Sequence, residues 1–461
     1  MKSQTPTVYV DVTDFIVWRG HFTGIQRVIY SIASELASRG KTLKYIVYAD
    51  GRYQVISQDL EDIATNGVRA IPQINELSRE GKVRDRITKT VAGLPVPLKT
   101  IATPLYIAAR GMANVIIPFV RSGVHTIKNR TYRASEKHTE PDLASVDEHN
   151  SVPLRYGMQP TFSSEDEILL LGCMWDDFGH LYAAAELAER PGLSVHLLVY
   201  DLIPIYAPHT FGVGLLETYT RYLFELLLVV STVWPISNST ANDVRRFMTE
   251  TGITHAPVIQ TIRIGDVLPV KVSKNLNNRM MTDFSEPFAI CVGTIESRKN
   301  HVQLYAALKL AYEKDKLHLL PHIYIIGRTG WLSGDVVNNF QRDIQINSKV
   351  TILHDLTDTE LAWFYTHARF SIYVSQYEGW GLPVAESLAY GTPVITSNTS
   401  SLVEIAPELT VQISPFDTSE LLDTMLLYSD ARQNLEIRKK VEGFKPTLWS
   451  ETVTQIISSL R

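Results

Sequence analysis

Residues 370–391, FSIYVSQYEGWGLPVAESLAYG, contain the pattern from which the rest of the chain is read. Phe370 to Gln376 alternates apolar and polar side chains as a strand does, Pro383 suits a first helical turn, and Gly391 suits the position just past the helix end. The unit is therefore strand, glycine loop, helix. A helix that starts where a strand ends offers free backbone N–H groups and a partial positive charge, which favours an anion, and Gly379 and Gly381, next to Leu382, let a diphosphate approach the backbone closely. Glu378 and Glu386, with seven residues between them, cannot bind phosphate themselves. Their expected partners are hydroxyl groups on either side of the anion, a sugar beside Glu378 and a ribose beside Glu386. The competing reading is a pair of solvated or capping glutamates.

A second unit has the same form. The apolar run Phe288 to Gly293 reads as a strand, Thr294 to Asn300 (TIESRKN) as a loop, and the residues that follow as an amphipathic helix. In a parallel sheet ligands bind beyond the carboxyl ends of the strands, where Arg298 and Lys299 would neutralise a diphosphate. Two solvated surface cations are the alternative.

Residues Tyr365 to Glu404 resemble the C-terminal signature of the retaining glycosyltransferases of family four, whose motif places two glutamates seven residues apart around EGFGLP. Trp380 stands here for the usual Phe. The loop from Gly293 to Asn300 resembles the family's GT-x-x-x-RKN element, which holds the donor's leaving group. Three N-terminal stretches resemble the same family: Thr23 to Val28 (TGIQRV), Tyr200 to Pro204 (YDLIP) and Ser237 to Ser239. Gly24, at a helix start, permits close approach to donor phosphates or acceptor, or else serves a tight turn. Asp201, expected at a strand end, is either a group that orients or deprotonates an acceptor hydroxyl or a turn carboxylate before Pro204. Many relatives have a histidine before this aspartate, and Tyr200 takes its place.

The resemblance implies the GT-B architecture: two Rossmann-like α/β domains with mainly parallel sheets facing a cleft. It further implies transfer with retention and without an obligatory metal or other cofactor. Its branches with TGIQR, DLIP and ESRKN elements point to a nucleotide diphosphate hexose as donor, mannose first and a deoxyhexose such as rhamnose next. The acceptor expected is a glycan, or a lipid-linked glycan, of a growing surface polysaccharide. A nucleotide-sugar epimerase of the same fold and a non-catalytic glycan-binding scaffold are the other readings.

Strands and helices alternate twice over. The first series comprises strands at Val8 to Val12, Ile168 to Leu171, Val195 to Tyr200, Val233 to Ile236 and Val258 to Ile262, with a helix over Ile25 to Arg39. The second has strands starting near Phe288 and at Ile323, Val350, Phe370 and Val394, with Thr357 and Glu360 spaced as a capping box. The polar stretch between Pro269 and Pro287 is the expected linker. Three parts follow: 1–275 on the acceptor side, 276–446 for the nucleotide sugar, and 447–461 as a helix returning to the first domain.

A length of 461 residues with 45% hydrophobic side chains fits a multidomain enzyme, and a net charge of −5 gives no attraction to nucleic acid. Cys173 and Cys291 lie in apolar runs and suit reduced thiols, and the polar Met1 to Pro6 leads straight into a strand, so the reading is cytoplasmic.

One region opposes the global charge. Residues 81–138 contain five Lys and six Arg against Asp85 and Glu136, around a largely apolar stretch, Val91 to Val120, that is broken by four prolines. That stretch cannot span a bilayer as a helix. It is either a peripheral contact with an anionic membrane surface or an insertion packed on the first domain. In the first case the protein binds anionic vesicles at low ionic strength and releases them as salt is added. Co-sedimentation with vesicles checks this, and no binding at any salt concentration selects the packed insertion.

Overall fold

The computed structural model describes residues 6–18, 24–66, 155–212, 214–268 and 286–461. The basic region 81–138 and the boundary at 275 lie outside the described residues. The first sheet consists of β1 (Val8–Asp11), β2 (Leu43–Ala49), β3 (Arg52–Ile56), β4 (Tyr156–Met158), β5 (Glu167–Leu170), β6 (Ser194–Val199), β7 (Thr232–Pro235) and β8 (Val258–Ile259). Its order is β4-β3-β2-β1-β5-β6-β7-β8. The second consists of β9 (Phe288–Val292), β10 (His322–Ile326), β11 (Val350–Leu353), β12 (Phe370–Tyr373), β13 (Val394–Ser397) and β14 (Val411–Ile413), ordered β11-β10-β9-β12-β13-β14.

Every pairing is parallel except those of β3, which runs antiparallel to β2 and β4. Runs such as FAICV in β9 are apolar throughout because helices cover both faces of a parallel sheet. The β2–β3 hairpin was not expected from the sequence pattern. Its turn is Asp50-Gly51, both with positive φ (53° and 77°), which Asp and Gly tolerate best.

Strand order reverses between β1 and β5 in the first sheet and between β9 and β12 in the second. At such a point the loops leaving two neighbouring strands diverge to opposite sides and leave a crevice beyond their carboxyl ends. The loop after β9 carries Arg298 and Lys299, and the loop after β12 carries Glu378.

One hydrophobic cluster joins the two halves. It includes Val10, Val28 and Ile32 of the first sheet's layer together with Trp380, Val384 and Leu402 from the second. The helix Trp449–Ser459 adds Val453 and Ile456 to this cluster and lies on the helix Gly24–Ser38, where Arg39 donates to Thr454 Oγ1 (2.9 Å) and to the Ser450 carbonyl (2.6 Å).

Asp266 ties this seam together. Its buried carboxylate accepts from Trp380 Nε1 (3.1 Å), the Thr447 backbone N–H (2.9 Å) and Arg263 Nη2 (3.2 Å). Asp266→Ala strands the two buried donors, which costs about 3 kcal/mol because a lost partner leaves the full desolvation penalty in place. The expected result is a lower unfolding midpoint and red-shifted tryptophan emission, with Asp266→Asn milder. A midpoint unchanged in Asp266→Ala would show that this residue does not hold the seam.

Candidate functional site

Arg298 and Lys299 form a short turn after β9, ended by Asn300 at φ 60°. Asn300 is fixed by its side-chain amide, which donates to the Val374 and Pro415 carbonyls (3.1 and 2.7 Å). That anchor brings the two cations against the loop after β12. Arg298 Nη1 lies 2.5 Å from Glu378 Oε2, and Lys299 Nζ lies 2.7 Å from Glu378 Oε1. Tyr373 OH donates to the same oxygen at 2.9 Å and also meets Lys299 Nζ. Glu296, which pairs with Arg298 Nη2 at 2.6 Å, completes the set. Gly293, at φ 140°, takes a backbone conformation that favours glycine, and a Cβ there would only touch the Lys299 stem at an ordinary 3.6 Å.

The first sheet's loops close over this cluster. A Cβ on Gly379 would lie 2.0 Å from the Tyr200 carbonyl oxygen and 3.0 Å from Asp201 Cβ, so only glycine allows the two loops to touch. On either side of Glu378, Tyr377 donates to Asp243 and the Gly379 carbonyl accepts from Thr240 Oγ1 (3.3 Å). Asp201 Oδ1 accepts from the Ile203 N–H at 3.0 Å. Gly381, at φ 113°, precedes the helix Leu382–Ala389, and a Cβ there would strike Leu402 at 2.6 Å. In this structure both loop glycines are therefore demanded by protein packing.

Glu386 has different partners from Glu378. Its Oε1 accepts from Arg27 Nη1 at 3.0 Å and its Oε2 from Tyr365 OH at 2.8 Å. Arg27 also reaches Asp358 at 2.8 Å. Gly24 opens Arg27's helix, and a Cβ on it would lie 3.5 Å from Leu382 Cδ1. The expected residues thus form two groups: Glu378, Arg298, Lys299 and Gly293 with Asp201 and Gly379 against them, and Glu386 and Leu382 with Gly24. Arg27, Tyr365, Tyr373 and Glu296 were not singled out from sequence. All four lie inside quoted stretches, Arg27 in TGIQR, Glu296 in ESRKN and the two tyrosines within Tyr365 to Glu404, but their contacts are with residues distant in sequence or across a loop, which the pattern does not report.

Burial works to raise the Glu378 carboxyl, but Arg298 and then Lys299 overcome it and hold its pKa at about 2. It is an ionised acceptor at neutral pH. Burial pushes Asp201 up, with Arg298 opposing, and pushes Glu386 up, with Arg27 and Tyr365 opposing. Burial lowers Lys299, and Glu378 counters it.

Depression of Glu378 from the ordinary 4.5 is worth about 3 kcal/mol. Because the folded value lies below the unfolded one, this stabilisation is complete above about pH 4.5 and is lost as pH falls toward about 2. Glu378→Gln never has it, so the gap in unfolding midpoint between wild type and variant should narrow between about pH 5 and pH 3. A gap that stays constant over that range would contradict the ion pairing.

Residues 280–430 match the family described as glycosyl transferases group 1. The serotype-specific mannosyltransferase WbdA of Escherichia coli is 26% identical over 68% of this chain and 39% of its own length. O-antigen chain mannosyltransferase B of the same organism is 27% identical over 38% of this chain and 45% of its own length. The chain thus spans less than half the length of these relatives. Among solved structures, sucrose-phosphate synthase from Thermosynechococcus elongatus superposes with a TM-score of 0.58 at 15% identity, covering 98% of each chain. HepE from Anabaena, solved with UDP and glucose, also gives 0.58, at 13% identity over 99% of each. Residues 280–430 thus belong to the glycosyl transferases group 1, set within a chain of GT-B fold.

Proposed function

We propose that the chain transfers a hexose from a nucleotide diphosphate sugar to a growing polysaccharide with retention of anomeric configuration. Mannose is the favoured sugar and a deoxyhexose such as rhamnose the next. The carrying observation is the buried cluster of Arg298, Lys299 and Glu378 beyond β9 and β12, where the strand order reverses. Both curated relatives are named mannosyltransferases, which supports the sugar, and one is named for the O-antigen chain, which supports the acceptor class.

In the proposed reaction the bond between the anomeric carbon and the diphosphate oxygen breaks with its electron pair staying on the diphosphate, the acceptor hydroxyl oxygen becomes bonded to that carbon, and the hydroxyl proton leaves with the diphosphate. Negative charge grows there, and the two buried cations, moved onto the diphosphate when the donor binds, stabilise it without further reorganising during the reaction. The diphosphate draws Arg298 and Lys299 away from Glu378, whose ionised carboxylate then accepts from a donor sugar hydroxyl. Glu386 accepts from the nucleoside ribose. Asp201 has Oδ2 outside its bond to Ile203 and orients the acceptor hydroxyl on the facing side of the cleft. A lipid carrier for the acceptor and a peripheral membrane setting accompany this reading through residues 81–138. No helix among the described residues is long and apolar enough to cross a membrane.

A panel of GDP-, dTDP- and UDP-sugars should contain one that raises the unfolding midpoint, with its nucleoside diphosphate nearly as effective. Arg298→Ala or Lys299→Ala should lower kcat about a hundredfold in folded protein, the effect of removing one preorganised donor, whereas Glu386→Gln should chiefly raise the donor KM. If no nucleoside diphosphate shifts the midpoint, the site is misassigned.

A further inference from the structure

The helices Gly24–Ser38 and Leu382–Ala389 begin side by side, one on each side of the seam between the sheets. Gly24 abuts Leu382, and one turn further along both helices Arg27 meets Glu386. Arg27 is 12% exposed and Glu386 4%, so this ion pair is shielded from solvent. The planar guanidinium bridges two carboxylates, Glu386 at 3.0 Å and Asp358 at 2.8 Å, and both belong to the second sheet's layer. Arg27 itself is rooted in the first. Val28, Ile29 and Ile32 on its helix are fully buried in the shared core.

We propose that Arg27 is a positioning residue that completes a nucleoside-ribose subsite at Glu386 only when the two sheets are drawn together. Ribose recognition and cleft closure are then one event. The inference rests on the reading of Glu386 given under Proposed function. A carboxylate has about four lone-pair sites, and Arg27 and Tyr365 occupy one on each oxygen. One site remains on each oxygen, which matches the two neighbouring hydroxyls of a ribose. The fork from Arg27 fixes the carboxylate plane that sets their direction. When the sheets separate, Arg27 departs with the first sheet and Glu386 keeps Tyr365 alone, so its plane is free to turn. A ligand that binds the fixed carboxylate better than the free one favours closure by the same factor. Lysine would keep the charge but cannot span both carboxylates.

The test compares GDP and UDP, which carry both ribose hydroxyls, with their 2′,3′-dideoxy forms by calorimetry on wild type and on folded Arg27→Ala, Arg27→Lys and Glu386→Gln proteins. Wild type should prefer the hydroxylated form of its nucleotide about tenfold or more, the worth of hydrogen bonds to a charged group. Arg27→Ala and Arg27→Lys should lose most of that ratio while their affinity for the dideoxy form changes by less than about twofold. Glu386→Gln should lose the same ratio, and the double variant no more than either single one, since both act on one interaction. A purely structural role would weaken both nucleotide forms alike. That result, or an undiminished ratio in folded Arg27→Lys, overturns the proposal while leaving Glu386 at the ribose. A Glu386→Gln variant that keeps the ratio overturns the ribose reading, and the proposal with it.

Discussion

Glu378 is a carboxylate with 7% of its side chain exposed, and it stays charged only because Arg298 and Lys299 are held within 2.7 Å. Each of the three charges would be untenable alone in that setting, since removing one partner of a buried pair costs roughly 3–5 kcal/mol. The loop after β9, the loop after β12 and the asparagine that pins them are therefore locked to one another. Such clusters are poor sources of net stability, because well-packed apolar residues of similar volume often do as well or better. A buried cluster of this kind at a crevice fits a chemical task better than a stabilising one. It keeps two cations in place with little exposure to water.

The seam depends on that lock. Tyr377 and Gly379, on either side of Glu378, make the contacts to Asp243, Thr240 and Tyr200. The first sheet thus grips the same loop that the cations hold from the second. Glu404 adds a contact of another kind, accepting from the Asn238 and Ser239 N–H groups at 2.9 and 2.7 Å. It caps a helix that belongs to the other sheet's layer, where a carboxylate also favours the positive end of the dipole.

Local patterns were legible. The alternation of Phe370 to Gln376, the proline at 383 and the glycine at 391 correspond to β12 and its helix, and Thr357 and Glu360 form both bonds of a capping box. The β2–β3 hairpin was passed over although Asp50-Gly51 marked it, because a scan for alternating strand and helix gives no place to an antiparallel ribbon. The glycines of the Glu378 loop were read for a ligand. The structure gives them a second reason, the Tyr200 carbonyl and Leu402. That reason could not be read, since it lies in residues far apart along the chain. The pairing of Arg27 with Glu386, 359 positions away, is of the same kind. Sequence pattern reports neighbours along an element, and a seam between two sheets is made of non-neighbours.

The helix Trp449–Ser459 has a consequence for the order in which the protein assembles. Its Val453 and Ile456 complete a core whose other members begin at Val8, and its Trp449 ring sits where a Cβ on Gly265 would come within 2.5 Å. During synthesis at about 5–20 residues per second, the apolar face of the helix Gly24–Ser38 waits some tens of seconds for that cover. The first sheet therefore leaves the ribosome with an unfinished side, and a nascent chain stalled before residue 449 would present that side to chaperones.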